Sequence, residues 1–156
     1  MKDLWENINE AVPNYMRAVC KKYDLKCEKI SNYYTVLYNT KCCWIIQIGK
    51  LYTNILYIRN ENGEIYAYDC GDYLAARFDE VDRQDLITVN KAGDNIRNEL
   101  SVVASGFVTK CEDIFTGDKM WFEKYLKSSR CAKVSLMMDV IDELKKKCFE
   151  FNYHTT

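Results

Sequence analysis

An α+β fold is predicted: an antiparallel β-meander of four to five strands flanked by an N-terminal helix and three to four C-terminal helices. Three observations predict it. Apolar residues recur every three or four positions up to Tyr23, the period drops to two between Leu25 and Cys70, and the longer period returns after Asp72. With 156 residues, the chain is expected to form one domain, 1–156, in which residues 1–23 are helical, 25–70 form the sheet and 72–150 are helical again. One proline and six glycines leave little material for long linkers.

The first helix is carried by Leu4, Trp5, Ile8, Val12, Tyr15, Met16, Val19 and Tyr23, with Asp3 as its N-cap. Pro13 lacks an N–H and its ring crowds the carbonyl of Asn9, so a kink or break is expected there. Strands are expected near 25–30, 33–39, 42–49, 51–60 and 64–69. Asn62-Gly63 marks the surest turn, because both residues accept the positive φ angles of a tight hairpin. Short connections make the sheet a meander, since parallel neighbours need long crossovers. On the third strand Trp44, Ile46 and Ile48 share one face and Cys43, Ile45 and Gln47 the other. One sheet face is expected to carry the helices and the other to be semi-apolar and rich in tyrosine, although the faces of Tyr57, Tyr66 and Tyr68 depend on register.

Asp72 is a candidate cap for a short helix running to Phe78, followed by an acidic linker to about Thr88. A long amphipathic helix then carries Ile96, Leu100, Val103, Phe107, Val108 and Cys111 on one side. Asp118 is placed to cap a shorter helix with Trp121, Phe122, Tyr125 and Leu126. A last helix, about 130–149, aligns Val134, Met137, Met138, Ile141, Leu144 and Cys148, and its Lys145, Lys146 and Lys147 suit the negative end of a helix dipole.

Charge and cysteine usage exclude several classes. A formal net charge of −1 argues against a general nucleic-acid binder, which needs a basic stripe for the phosphates. The first residues lack the apolar core of a signal peptide, and no apolar run approaches a membrane span, so a cytoplasmic location is expected. Eight cysteines contain no Cys-x-x-Cys pair, and in a reducing compartment they read as free thiols rather than as a zinc site or a disulfide framework.

No active site assembles from the residues, and no catalytic residue, metal or cofactor is assigned. Proton transfer near neutral pH usually needs a histidine, and the only one, His154, stands among the last three residues. No Gly-x-Ser-x-Gly elbow and no glycine-rich phosphate loop occurs. Asp79, Glu80, Asp82 and Asp85 lack the spacing and the turning glycine of an EF-hand, and Arg77 and Arg83 read as salt partners for this segment.

Two features remain: an acidic segment after the sheet and a surplus of tyrosine. Acidic patches steer association with basic partners, and tyrosine offers rigid contact area with one polar atom. The segment from Ile48 through Asn62-Gly63 to Tyr66, followed by acids and helices, resembles small bacterial immunity proteins of polymorphic-toxin or contact-dependent growth inhibition systems. The resemblance is one of layout over about two thirds of the chain and includes no signature residues. It implies a cytoplasmic, non-catalytic protein that occludes a cognate toxin domain, often a basic nuclease, through an acidic surface. The net charge of −1 departs from the acidic extreme of that group. Asp72, Asp79, Glu80, Asp82 and Asp85 are the expected partner contact. The competing reading is a small-molecule binder or enzyme with a pocket between the tyrosine-rich sheet and the helices.

Overall fold

The architecture is that of a computed structural model and covers residues 1–148; His154 lies outside the described residues. Helix α1 (Leu4–Tyr15) is capped by Asp3, whose carboxylate accepts from the N–H of Glu6 at 2.8 Å. Pro13 lies inside α1, and the break falls three residues later, at Met16, before α2 (Arg17–Tyr23). The helix therefore tolerates the missing Pro13 donor for one more turn, because Val12 and Met16 are both fully buried and hold it against the sheet.

Strands β1 (Lys26–Ser31), β2 (Tyr34–Tyr38), β3 (Cys43–Ile48), β4 (Thr53–Glu61) and β5 (Glu64–Asp69) pair in chain order, each antiparallel to the last. Asn62 (φ 55°) and Gly63 (φ 88°) form the two-residue turn between β4 and β5, with Glu61 opposite Glu64. A sixth strand, β6 (Lys133–Val134), adds to β5 at the sheet edge. It falls in the stretch where the sequence predicts only helix, and two residues are too short for an alternating pattern to register.

After β5 come α3 (Gly71–Ala75), a 3₁₀ turn at Glu80–Arg83, α4 (Asp94–Lys110), α5 (Glu112–Phe115), α6 (Met120–Lys127) and, beyond β6, α7 (Met138–Lys147). Among the described residues, no helix is long and apolar enough to cross a membrane.

Period-two alternation divides the buried side chains between the sheet's faces. One face carries Leu37, Trp44, Ile46, Ile48 and Ile55 against α1, α2, α4, α5 and α6. The other carries Val36, Cys43, Ile45, Leu56 and Ile58 against Val140, Leu144 and Cys148 of α7 and its end. The vicinal cysteines obey the same rule, Cys42 joining the first cluster and Cys43 the second.

Register divides the tyrosines between the faces: Tyr34 and Tyr38 lie on the second, as expected of a tyrosine-bearing face, whereas Tyr57 and Tyr68 lie on the first. Tyr57 sits opposite both Trp44 and Tyr68, so these aromatics share the first face. There they meet α6: the Tyr57 ring lies 4.8 Å from Trp121, and Tyr68 lies 5.2 Å from Phe122. On α6 itself, a tyrosine hydroxyl finds backbone partners instead of water. Tyr125 donates to the Asp69 carbonyl at 2.8 Å and accepts from the Ala132 N–H at 2.8 Å, tying α6 to both sides of the β5–β6 pair. The opposite face is covered by α7, whose phase also differs from expectation. Met137 and Met138 are 65% and 69% exposed, and Val140, Leu144 and Cys148 turn inward. Met137 precedes the helix, and Met138 stands two positions before Val140, which turns it to the side opposite the inward residues.

Candidate functional site

The acidic linker folds as a strap laid antiparallel along the outer side of α4. Its first fastening is Asp82, which is 3% exposed. One carboxylate oxygen accepts from Ser105 Oγ at 2.8 Å and Thr109 Oγ1 at 2.7 Å. The other accepts from the Asp79 N–H at 3.1 Å and lies 3.2 Å from Lys110 Nζ. Burial alone would raise the Asp82 carboxyl, but donors from Thr109, Ser105, Asp79 and Lys110 outweigh it and hold the group well below the usual carboxylate range.

The middle of the strap is held by Asn98, whose side chain accepts from the Ile87 N–H at 2.8 Å and donates to the Ile87 carbonyl at 2.9 Å. The far end is held by Asp94, also 3% exposed, which accepts from the N–H groups of Asn90 and Lys91 and pairs with Arg97 at 2.9 Å. The N–H of Asn90 is the largest of the influences that hold the Asp94 carboxyl low. Serine, threonine and asparagine thus recur on the α4 face turned toward the strap, a polar stripe in a helix otherwise read from its apolar side.

The predicted contact residues separate under this geometry. Asp82 is an internal fastening and cannot meet a partner. Asp79 caps the 3₁₀ turn, accepting from the Val81 N–H at 3.0 Å, while its carboxylate remains 54% exposed. Glu80 and Asp85 are exposed on the strap. Asp72 stands apart on α3, in its first turn and not as its cap; the Asp69 carboxylate takes the Gly71 N–H at 3.0 Å. Arg77 does not serve the acidic segment either, since it forms a bidentate pair with Asp113 at 2.7 and 3.0 Å.

What the charge pattern does not reveal is the strap's apolar content. Val81, Leu86, Ile87 and Val89 are 55%, 45%, 49% and 52% exposed. Other large hydrophobics are exposed among the described residues, but these four fall within nine consecutive positions. Their alternation with acids reads in sequence as a linker, because neither helical nor strand periodicity runs through them.

Beside the strap opens a cavity of about 820 Å³, between the start of β4, the β5–α3 junction and α4. Its walls include Leu74, Phe78, Val102 and Phe107, and its polar groups include Asp69, Asp72, Glu99 and Arg83. Glu99 accepts from both the N–H and the hydroxyl of Thr53, at 3.1 and 2.5 Å. Burial raises the Asp69 carboxyl, the Gly71 N–H lowers it, and Asp72 adds to the rise. Nothing in the helical pattern of α4 distinguishes Glu99 from any exposed acid, so this side of the lining is invisible without the fold.

Two pairs of thiols lie within contact, Cys20 with Cys27 and Cys43 with Cys148. Burial raises Cys42 to about 12 and Cys111 to about 11, and raises Cys43 and Cys70 as well. Cys20 differs, because the neighbouring Cys27 thiol donates to its sulfur and lowers it. Among the described residues, no group of three His, Cys, Asp or Glu side chains is placed to hold a metal ion. Compared with models of protein families, with curated proteins and with solved structures, the chain finds no match.

Proposed function

We propose that this chain is a binding protein that blocks a protein partner by occlusion, in the manner of an immunity protein acting on a toxin domain, and that the strap is its contact surface. The observation that carries this reading is the exposure of Val81, Leu86, Ile87 and Val89 on a segment fastened at Asp82, Asn98 and Asp94. Exposed aliphatic groups on a mobile loop would lose entropy on binding; on a fastened segment most of that loss has occurred during folding. Asp79, Glu80 and Asp85 surround them and suit a partner face with lysines or arginines.

Co-expression with the product of the neighbouring gene, followed by affinity purification and calorimetry, tests the proposal. A stoichiometric complex is expected. Ile87→Ser with Val89→Ser should weaken it by about 100-fold, as loss of central apolar contacts does. Glu80→Lys with Asp85→Lys should weaken it less and make it more sensitive to salt. A complex whose affinity is unchanged by both double variants would remove the strap as the contact, and no complex with any partner would remove the function.

A further inference from the structure

We propose that the cavity between the strap, α3 and the start of β4 is a binding site for a small organic monocation, an ammonium or guanidinium group on an apolar stem. At about 820 Å³ it has the size of a small-molecule pocket. Its charge is one-sided: three carboxylates (Asp69, Asp72, Glu99) face it against one guanidinium (Arg83). Its accessible apolar walls are the Phe78 ring and the Ala75, Val102 and Val134 side chains, backed by the buried Leu74 and Phe107, and they offer a surface for a hydrocarbon body.

Two of the carboxylates are held in place while keeping acceptor capacity. Glu99 engages Thr53 twice through the same oxygen, Oε1, which leaves Oε2 for a guest. Asp69 spends Oδ1 on the Gly71 N–H, and its partial burial disfavours the ionised form, a cost that a neighbouring cation would offset. A neutral apolar guest would deepen the desolvation of these groups without pairing them, and an anion would be repelled. A divalent metal wants six or more oxygens at close range, whereas these acids are distributed around an apolar chamber. An organic cation satisfies both the acids and the walls. The site does not depend on the strap contacting a partner.

The same chemistry can arrive as a free amine or as a basic side chain on a protein. Titration of the full chain, followed by backbone amide NMR, with phenethylammonium, butylguanidinium, neutral 2-phenylethanol and an end-blocked arginine tripeptide tests both sources. Saturable shifts are expected at Leu74, Val102 and Val103 with the cations, and binding of the alcohol about tenfold weaker than that of phenethylammonium. Glu99→Gln retains an acceptor for Thr53 and should weaken cation binding by about three- to tenfold; Asp72→Asn, at an exposed position, should act in the same direction. Ala75→Trp, which fills the cavity from its rim, should abolish binding. A response to the tripeptide alone would still support the cation site and assign its ligand to a protein. No saturable shift with any cation, equal binding of the alcohol, or binding indifferent to all three variants would overturn the proposal.

Discussion

Thr109 donates its hydroxyl to the Asp82 carboxylate at 2.7 Å, across 27 residues of sequence, and this contact with that of Ser105 fixes the strap to α4. Asp82→Ala would leave Ser105, Thr109, the Asp79 N–H and Lys110 without their shared acceptor. Removing one partner of a buried charged network costs about 3 kcal/mol. Urea denaturation should show that loss, and hydrogen exchange should quicken from Val81 to Asn90 if the strap detaches first.

Acid should produce the same detachment. Asp82 and Asp94 are both held below their ordinary values, so the unfolded chain binds more protons than the folded one at low pH. Their contribution is complete above about pH 5 and declines as pH falls past the unfolded aspartate value of about 3.9 toward the lower folded values. The urea midpoint measured from pH 7 to pH 3 should fall, and Asp82→Asn should flatten that dependence. A profile as steep in Asp82→Asn as in the parent would show that other groups control it.

Gly106 is a packing glycine. A Cβ placed there would overlap the Phe78 ring, so Gly106→Ala forces the ring aside. Overpacking of this kind costs about 1–3 kcal/mol. Combining it with Phe78→Leu should cost less than the sum of the single changes, which a double-mutant cycle by thermal or urea unfolding would measure.

Helix α7 covers the second sheet face through few side chains, of which Leu144 is fully buried and Val140 nearly so. Leu144→Ala should cost about 3 kcal/mol and raise binding of a hydrophobic dye to the uncovered face. A loss below about 1 kcal/mol would mean that α7 contributes little to the folded state.

Cys20 should alkylate faster near pH 8 than Cys42, Cys43, Cys70 or Cys111, because it alone among these is lowered while burial raises the others. Cys27→Ala removes the thiol that donates to it and should slow the reaction. Mass spectrometry of peptides after limited iodoacetamide treatment reads both outcomes.

Local chemistry alone determined much of this protein. Asp3 caps the first helix, Asn62-Gly63 turns the hairpin, and alternation along Cys43–Ile48 sends Trp44 and Ile45 to opposite faces. Each is a property of a few adjacent residues, so the sequence carries it. It took the folded arrangement to bring Tyr57 and Tyr68 under α6, to add Lys133–Val134 to the sheet edge, and to make Asp82 a fastening while Asp85 stays exposed. Those outcomes depend on strand register and on which distant donor reaches a carboxylate. Two aspartates three positions apart look alike in sequence until Ser105 and Thr109 are folded against one of them.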